Sequence, residues 1–128
     1  MLKNSKFIIR GGKPLNGNVK VSGAKNSATK LLVASLLTDQ ECELHNSPNK
    51  ISDILVTSKI CEKLGSDVKM AGDTLTIKTE DIKKIHIPEE LGNLNRIAIL
   101  LAGPLLLRKG KAEIPIPGGC KIGSRPVN

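Results

Sequence analysis

The sequence predicts a mixed α/β fold (α+β) in which short strands alternate with amphipathic helices. Of its 128 residues, 39% are hydrophobic and 25% are charged, which is the usual balance of a folded domain. Leu, Ile and Val recur at helical or alternating spacing, and this argues against disorder. Gly and Pro separate the periodic blocks. The length corresponds to about one domain.

The first third of the chain predicts two strands, a helix and a third strand. Lys6–Arg10 is a β-rich run closed by a pair of glycines, and Asn18–Val21 is a second such run after a Pro/Gly turn. Apolar residues at helical spacing predict a helix over Ala24–Leu37, with Ser22 as its N-cap. Glu41–Asn46 then alternates polar and apolar residues, as a strand does.

The middle of the chain predicts a second helix and a hairpin. Ser52 is the expected N-cap of a helix over Asp53–Leu64, whose acidic first turn favours the helix dipole. Gly65 follows as a natural C-terminal stop. Two short runs on either side of a Gly-Asp pair, Asp67–Met70 and Thr74–Lys78, predict the hairpin.

The last third predicts a strand over Lys84–Ile87, a long apolar helix over Leu91–Leu107 and an irregular strand over Glu113–Ile116. Pro104 is expected to kink or end the long helix. The chain continues as a loop from Pro117. From Asn18 onward the order is that of a βαβαββ unit of about seventy residues, followed by the start of a second unit. We therefore expect about one and a half modules of a larger assembly.

Composition excludes some functions and leaves others open. The formal charge is +8, but the basic residues are scattered singly, so a nucleic-acid-binding module remains only an alternative. There is a single aromatic residue, which disfavours base stacking. The longest apolar stretch, 97–107, is too short to span a membrane. Three cysteines without a repeated spacing indicate neither a disulfide framework nor a zinc site, so we expect a cytoplasmic protein.

Residues 22–26, Ser-Gly-Ala-Lys-Asn, lie where a strand leads into a helix. The helix N-terminus offers free N–H donors to an anion, and Lys25 and Asn26 add a charge and further donors. A phosphate or carboxylate suits such a corner. An ordinary helix start with an exposed lysine is the alternative, and this segment alone does not exclude it.

A second candidate segment is the glycine-rich loop 117–126, which contains Cys120. Lys121 and Arg125 follow that cysteine, and positive neighbours lower the pKa of a thiol. Cys120 is therefore a candidate nucleophile or proton donor, unless it is an incidental loop thiol. Arg96, at the start of the most apolar predicted helix, either extends to solvent or meets an anion.

These segments, in this order, resemble the UDP-N-acetylglucosamine 1-carboxyvinyltransferase (enolpyruvyl transferase) family. The resemblance rests on IRGGKPLNG at 9–17, VSGAKN at 21–26, LLxxxLLT at 31–38, KLG at 63–65, GPLL at 103–106 and PGGCxIGxRPV at 117–127. It implies transfer of the enolpyruvyl group of phosphoenolpyruvate to the 3-hydroxyl of UDP-N-acetylglucosamine with release of phosphate. That reaction is the first committed step of peptidoglycan synthesis.

The resemblance also implies roles for individual residues. Cys120 is at the position of the catalytic cysteine, which acts as a general acid and reacts with the epoxide fosfomycin. Lys25 and Asn26 match the phosphoenolpyruvate site. The residues matched to UDP-N-acetylglucosamine binding are Arg96, Arg125, Pro126, Val127 and Asn128. No cofactor and no metal is implied, and the catalytic base lies outside this sequence.

The fold implied by the resemblance is an inside-out α/β barrel built of βαβαββ units. Residues 1–21 would belong partly to the other domain of the enzyme, and residues 22–128 to a partial enolpyruvyl transferase domain that ends in the catalytic loop. The partners expected are the two small-molecule substrates and the missing remainder of the enzyme, with neither nucleic acid nor membrane. We expect the isolated chain to be inactive, and a truncated fragment that only binds anions is the alternative.

Overall fold

A computed structural model describes residues 6–118 of the protein. Within this range a three-stranded sheet packs against a layer of helices. The strands are β1 (Cys42–Leu44), β2 (Asp67–Ala71) and β3 (Thr74–Lys78). The α-helices are α1 (Lys25–Ala34), α2 (Ser52–Leu64), α3 (Glu89–Gly92) and α4 (Ala102–Lys109), and 3-10 helices span Ser35–Leu37 and Ile97–Leu101.

The sheet has the order β1-β3-β2, with β3 antiparallel to both neighbours. β1 and β2 are therefore parallel to each other, and α2 is the crossover between them. This confirms the predicted strand, helix and hairpin in the middle of the chain. Gly65 ends α2 at a φ of 118°, and the N–H groups of Gly65 and Ser66 both bond to the carbonyl of Cys61. Within residues 6–118, no strand pairs with the outer edge of β1.

The two strands predicted before α1 are wrong for this structure. Residues 6–21 form no helix or strand and are exposed throughout. Phe7 and Leu15, for example, are 98% and 99% exposed. Strand propensity alone does not make a strand, because each backbone N–H and C=O needs a neighbouring strand to bond with. No such neighbour accompanies residues 6–21 in the described part of the chain.

The long helix predicted over Leu91–Leu107 is wrong as a continuous element. The chain instead forms α3, a break at residues 93–96, the 3-10 helix Ile97–Leu101 and then α4. Pro104 neither kinks nor ends a helix, because it lies in the first turn of α4, where its missing N–H has no partner to lose. The strands predicted before and after this helix, over Lys84–Ile87 and Glu113–Ile116, are present only as one parallel bridge between His86 and Glu113.

The predicted helix caps are also wrong. Ala24 and Ile51 are the N-cap residues of α1 and α2, and neither provides a side-chain hydrogen bond. Ser22 therefore lies outside α1, and Ser52 is the first residue of α2.

The core lies between the sheet and the helices. Its buried hydrophobic residues are Ala28, Leu32, Val33, Leu36, Ile54, Ile60, Cys61, Leu64, Leu75, Ile77, Ile82, Ile87, Ala98, Leu101 and Leu105. They come from every α-helix except α3, from both 3-10 helices, from β3 and from the segment between β3 and α3, so one core joins the βαββ unit to the segment that follows it. Cys61 of α2 is completely buried in this core.

Arg108 of α4 holds the helix layer to the end of the sheet. Its Nη1 donates to the carbonyls of Leu36, Thr38 and Thr79 at 3.1, 3.1 and 2.9 Å, and its Nη2 donates to the carbonyl of Glu80 at 2.8 Å. One guanidinium thereby satisfies backbone groups that follow α1 and β3.

Candidate functional site

The first candidate cation lies at the N-terminus of α1. Lys25 is the first residue of the helix, after an extended Ala24, and Asn26 is the second. Both are exposed, and the first turn of α1 contains no acidic residue. The positive end of the helix dipole is therefore not neutralised within its own first turn, and a lysine adds to it. This is a favourable arrangement for an anion and an unfavourable one for helix stability.

Asp53, in the first turn of α2, partly offsets that charge. Its Oδ2 lies 2.7 Å from Nζ of Lys25, and the two side chains are 28% and 46% exposed. The same carboxylate lies at the N-terminus of α2, where the helix dipole favours it. The pair fixes the direction of the lysine side chain, because α1 and α2 are packed against each other.

A close backbone contact sets where α1 begins. A Cβ built on Gly23 would lie 1.8 Å from the carbonyl oxygen of Asn46, just beyond the end of β1. Only glycine permits this approach. The contact ties residues 22–26 to the end of β1 and so supports the prediction that this segment is a shaped corner.

Arg96 lies in the break between α3 and the 3-10 helix Ile97–Leu101, and it is half-buried. The preceding residue, Asn95, accepts the N–H of Ile97 with its Oδ1 at 3.0 Å. Its Nδ2 lies 3.5 Å from Oγ1 of Thr57 in α2. The segment that carries Arg96 is therefore attached to the helix whose Asp53 pairs with Lys25.

The glycine-rich loop starts beside the same break. A Cβ built on Gly118 would lie 1.8 Å from the carbonyl oxygen of Asn93, so these two backbones are in direct contact. Asn93 is three residues before Arg96, and Gly118 is two residues before Cys120. The structure thus brings the start of the loop to the segment of Arg96. The remaining predicted site residues lie outside the described range: Cys120, Arg125, Pro126, Val127 and Asn128.

A cavity beside α1 is separate from these cations. It has a volume of about 480 Å³ and lies between α1 and β1, lined among others by Leu31, Leu44 and Ser47. Lys25, Asn26 and Arg96 are not part of its lining. The candidate cations therefore do not share this cavity.

The described range offers no metal site and no membrane span. No group of three His, Cys, Asp or Glu side chains in residues 6–118 is arranged to hold a metal ion. No helix of that range is long and apolar enough to cross a bilayer.

The two cysteines inside the described range do not resemble a reactive thiol site. Cys61 is completely buried in the core, and this burial raises the pKa of its thiol to about 12. A thiol that stays protonated is a poor nucleophile. Cys42 is half-buried in β1, and no predicted site residue adjoins it in the sequence.

Sequence reasoning missed two polar residues of the candidate site. Asp53 was expected only to favour the dipole of α2, and its pairing with Lys25 joins residues that are far apart in the sequence. Asn95 gave no signal beyond its place next to Arg96, because the predicted continuous helix left it no distinct role. Its burial and its two hydrogen bonds emerge only in the folded chain.

Comparison with known proteins shows the family to which the chain belongs. The sequence model of the family described as EPSP synthase (3-phosphoshikimate 1-carboxyvinyltransferase) matches residues 9–128. A protein named UDP-N-acetylglucosamine 1-carboxyvinyltransferase from Gloeobacter violaceus is 49% identical over 121 residues, which cover 94% of this chain and 26% of that protein. Another protein of that name, from Protochlamydia amoebophila, is 46% identical over 123 residues, with the same two shares.

The fold is also similar to a solved structure. The crystal structure of the enolpyruvyl transferase NikO from Streptomyces tendae aligns with a TM-score of 0.69 and 24% identity, covering 78% of this chain and 23% of that one. The present chain spans about a quarter of the length of the curated relatives it matches. The resemblance found in the sequence motifs is confirmed, and the chain belongs to the EPSP synthase family of carboxyvinyltransferases.

Proposed function

We propose that this chain is part of an enzyme that transfers the enolpyruvyl group of phosphoenolpyruvate to the 3-hydroxyl of UDP-N-acetylglucosamine. Phosphate is released, and the product enters peptidoglycan synthesis in the cytoplasm. The observation that supports the proposal is that Lys25 and the Arg96 segment are both attached to α2, through Asp53 and Thr57. The loop starts at Gly118, in contact with Asn93, three residues before Arg96. Relatives 41–49% identical bear the name of that activity.

The site residues take the roles that the family resemblance assigns. Lys25 and Asn26 bind phosphoenolpyruvate at the N-terminus of α1, where the helix dipole and the lysine both favour an anion. Arg96 binds UDP-N-acetylglucosamine, for which its planar guanidinium is suited because it contacts phosphate oxygens in pairs. The further residues assigned to that substrate are Arg125, Pro126, Val127 and Asn128.

Cys120 provides the proton for the reaction. As the nucleophilic hydroxyl adds to the enol and gives its proton to the catalytic base, a general acid delivers a proton to the methylene carbon, which becomes a methyl group. Removal of a proton from that methyl group then restores the double bond as the C–O bond to phosphate breaks and phosphate leaves. The start of the loop is fixed at Gly118, and its glycines allow the remainder to close over substrate and exclude water. The catalytic base is contributed by residues outside this sequence.

The chain is one part of an inside-out α/β barrel. Residues 22–128 form a partial domain whose described part contains α1 followed by the βαββ run of β1, α2, β2 and β3, and residues 1–21 belong partly to the other domain. Two findings support this division. The core contains no residue before Ala28, and residues 6–21 are fully on the surface.

A chimeric enzyme tests the proposed activity. The chain replaces the matched segment of the Gloeobacter violaceus relative, and phosphate release is measured with phosphoenolpyruvate and UDP-N-acetylglucosamine together and separately. We expect turnover only with both substrates, and a loss of about 100-fold or more in Cys120→Ser, as for removal of a general acid. The 128-residue chain alone is expected to be inactive.

Two charge-matched variants make the test specific. Lys25→Met in the chimera is expected to lower kcat/KM about 100-fold, because a cation aimed at developing negative charge is lost. Lys30→Met removes the same charge from an exposed position further along α1 and is expected to leave kcat/KM unchanged. A folded chimera without turnover, or equal losses in both variants, would contradict the proposal.

A further inference from the structure

Asn95 is a buried polar residue in a break between helices. Only 6% of its surface is exposed, although the residues around the break are more open. Burying an amide is costly unless its donors and acceptors are bonded. The hydrogen bonds of Asn95 are therefore the reason that this residue type is tolerated there.

Those bonds form a consistent chain of donors and acceptors. The backbone N–H of Ile97 donates to Oδ1 of Asn95 at 3.0 Å, which identifies the other side-chain atom as the amide nitrogen. That nitrogen donates to Oγ1 of Thr57 at 3.5 Å. The Thr57 hydroxyl is free to accept, because its own hydrogen is given to the carbonyl oxygen of Asp53 at 2.7 Å.

This chain of bonds ends at the residue that holds the other candidate cation. Asp53 pairs with Lys25 through its carboxylate and with Thr57 through its carbonyl. Asn95 is bonded to the residue after Arg96 and immediately precedes Arg96. The backbone that carries Arg96 is thus attached to the first turns of α2.

We propose that Asn95 is a positioning residue that acts through Arg96. It bonds to Ile97 and to Thr57, and so holds the Arg96 backbone in one place relative to the Lys25–Asp53 pair. The inference rests on the proposed function, in which Arg96 binds UDP-N-acetylglucosamine. Asn95 itself touches no reacting atom, and its effect on the ligand is indirect.

The experiment uses the full 128-residue chain and two independent measurements. UDP-N-acetylglucosamine is titrated by NMR into the wild type, Asn95→Ala, Arg96→Ala and the double variant. Loss of one positioning contact worth a typical hydrogen bond is expected to weaken binding about tenfold in Asn95→Ala. In the Arg96→Ala background the same change is expected to have no further effect, because Asn95 then has nothing to position.

The second measurement needs no ligand. Backbone ¹⁵N relaxation at Arg96 and the amide shift of Ile97 are compared among the wild type, Asn95→Ala, Thr57→Val, Thr57→Ser and Ser58→Ala. We expect Thr57→Val to loosen the segment and Thr57→Ser to restore it. Ser58→Ala serves as a matched control, since its buried hydroxyl has no hydrogen-bond partner to lose within the described residues.

The outcomes distinguish a failure of the ligand assignment from a failure of the positioning role of Asn95. If the wild type binds no UDP-N-acetylglucosamine while Thr57→Val and Asn95→Ala still loosen Arg96, the ligand assignment fails and the positioning role holds. If Arg96 keeps its order in both variants, or if the two alanine substitutions are additive in binding, the positioning role is overturned. A lower urea midpoint without either effect also overturns it, because Asn95 then only stabilises the fold.

Discussion

Replacing Arg108 by methionine is expected to separate α4 from the end of the sheet. Methionine keeps the apolar stem and removes the guanidinium, whose four bonds reach the carbonyls of Leu36, Thr38, Thr79 and Glu80. The Thr79 and Glu80 carbonyls follow β3 directly, so the hydrogen bonds lost with the guanidinium are those at the end of the sheet. The helices remain, but the hydrogen bonds that join α4 to the end of the sheet are lost.

The size of the effect follows from those bonds. A net contribution of about 1 kcal/mol per hydrogen bond gives an upper value of about 4 kcal/mol. Nη1 has two hydrogens for three acceptors, and carbonyls at the half-exposed site regain water, so we expect a loss of about 2–3 kcal/mol. The free energy of unfolding is measured by urea denaturation, where the midpoint falls and the slope stays constant.

Lys109→Met is the matched control for this substitution. Lys109 follows Arg108 in sequence, and its ammonium pairs with Asp81 at 2.7 Å, the lysine and aspartate side chains being 32% and 67% exposed. That hydrogen bond lowers the pKa of Asp81, so the control should return this pKa towards its ordinary value and barely move the urea midpoint. Equal midpoints for Arg108→Met and Lys109→Met would refute the reasoning that backbone carbonyls, and not charge, make Arg108 important.

Three further predictions concern glycine packing and the thiols. Gly23→Ala should lower the free energy of unfolding in urea by about 1–3 kcal/mol, because its Cβ meets a backbone oxygen. Gly103→Ala, in open space on a helix, should raise it by about 0.5–1 kcal/mol. A change of the same sign in both variants would contradict the packing at Gly23. Cys61, with its pKa raised to about 12, should resist DTNB at pH 8 until urea unfolds the chain, and labelling of the native core thiol would refute this. In the chimera, fosfomycin should modify Cys120, and mass spectrometry of peptides can locate the adduct. Cys120→Asp should prevent the adduct while sparing turnover. An adduct at Cys42 or Cys61 would contradict the assignment.

Local signals were enough to predict the centre of the fold. The helix Ser52–Leu64 was predicted to within one residue because its apolar period, its acidic first turn and the following Gly65 agree. The hairpin β2–β3 was predicted because two alternating runs flank a tight turn, with Gly72 at a positive φ. Each of these signals acts over a few residues, so the sequence contains it directly.

The remaining elements depend on contacts that the sequence does not state. Residues 18–21 have strand propensity, but pairing requires a neighbour that the described chain does not supply. The apolar pattern at 91–107 predicted one helix, yet the Asn95 side chain takes the N–H of Ile97 in place of a helical carbonyl and interrupts it. Similarly, the motif alone predicted Lys25 as a candidate site residue, whereas its ion pair with Asp53 depends on how α1 and α2 pack against each other.

The open edge of β1 affects the concentrations at which this protein should be studied. No strand of residues 6–118 covers the outer side of Cys42–Leu44, so with respect to these residues its N–H and C=O groups can pair with an extended chain, including the same edge of a second molecule. Three residues offer few bonds, so such pairing is weak and grows with concentration. Titrations at several dilutions will therefore distinguish ligand-induced shifts from those of transient self-association.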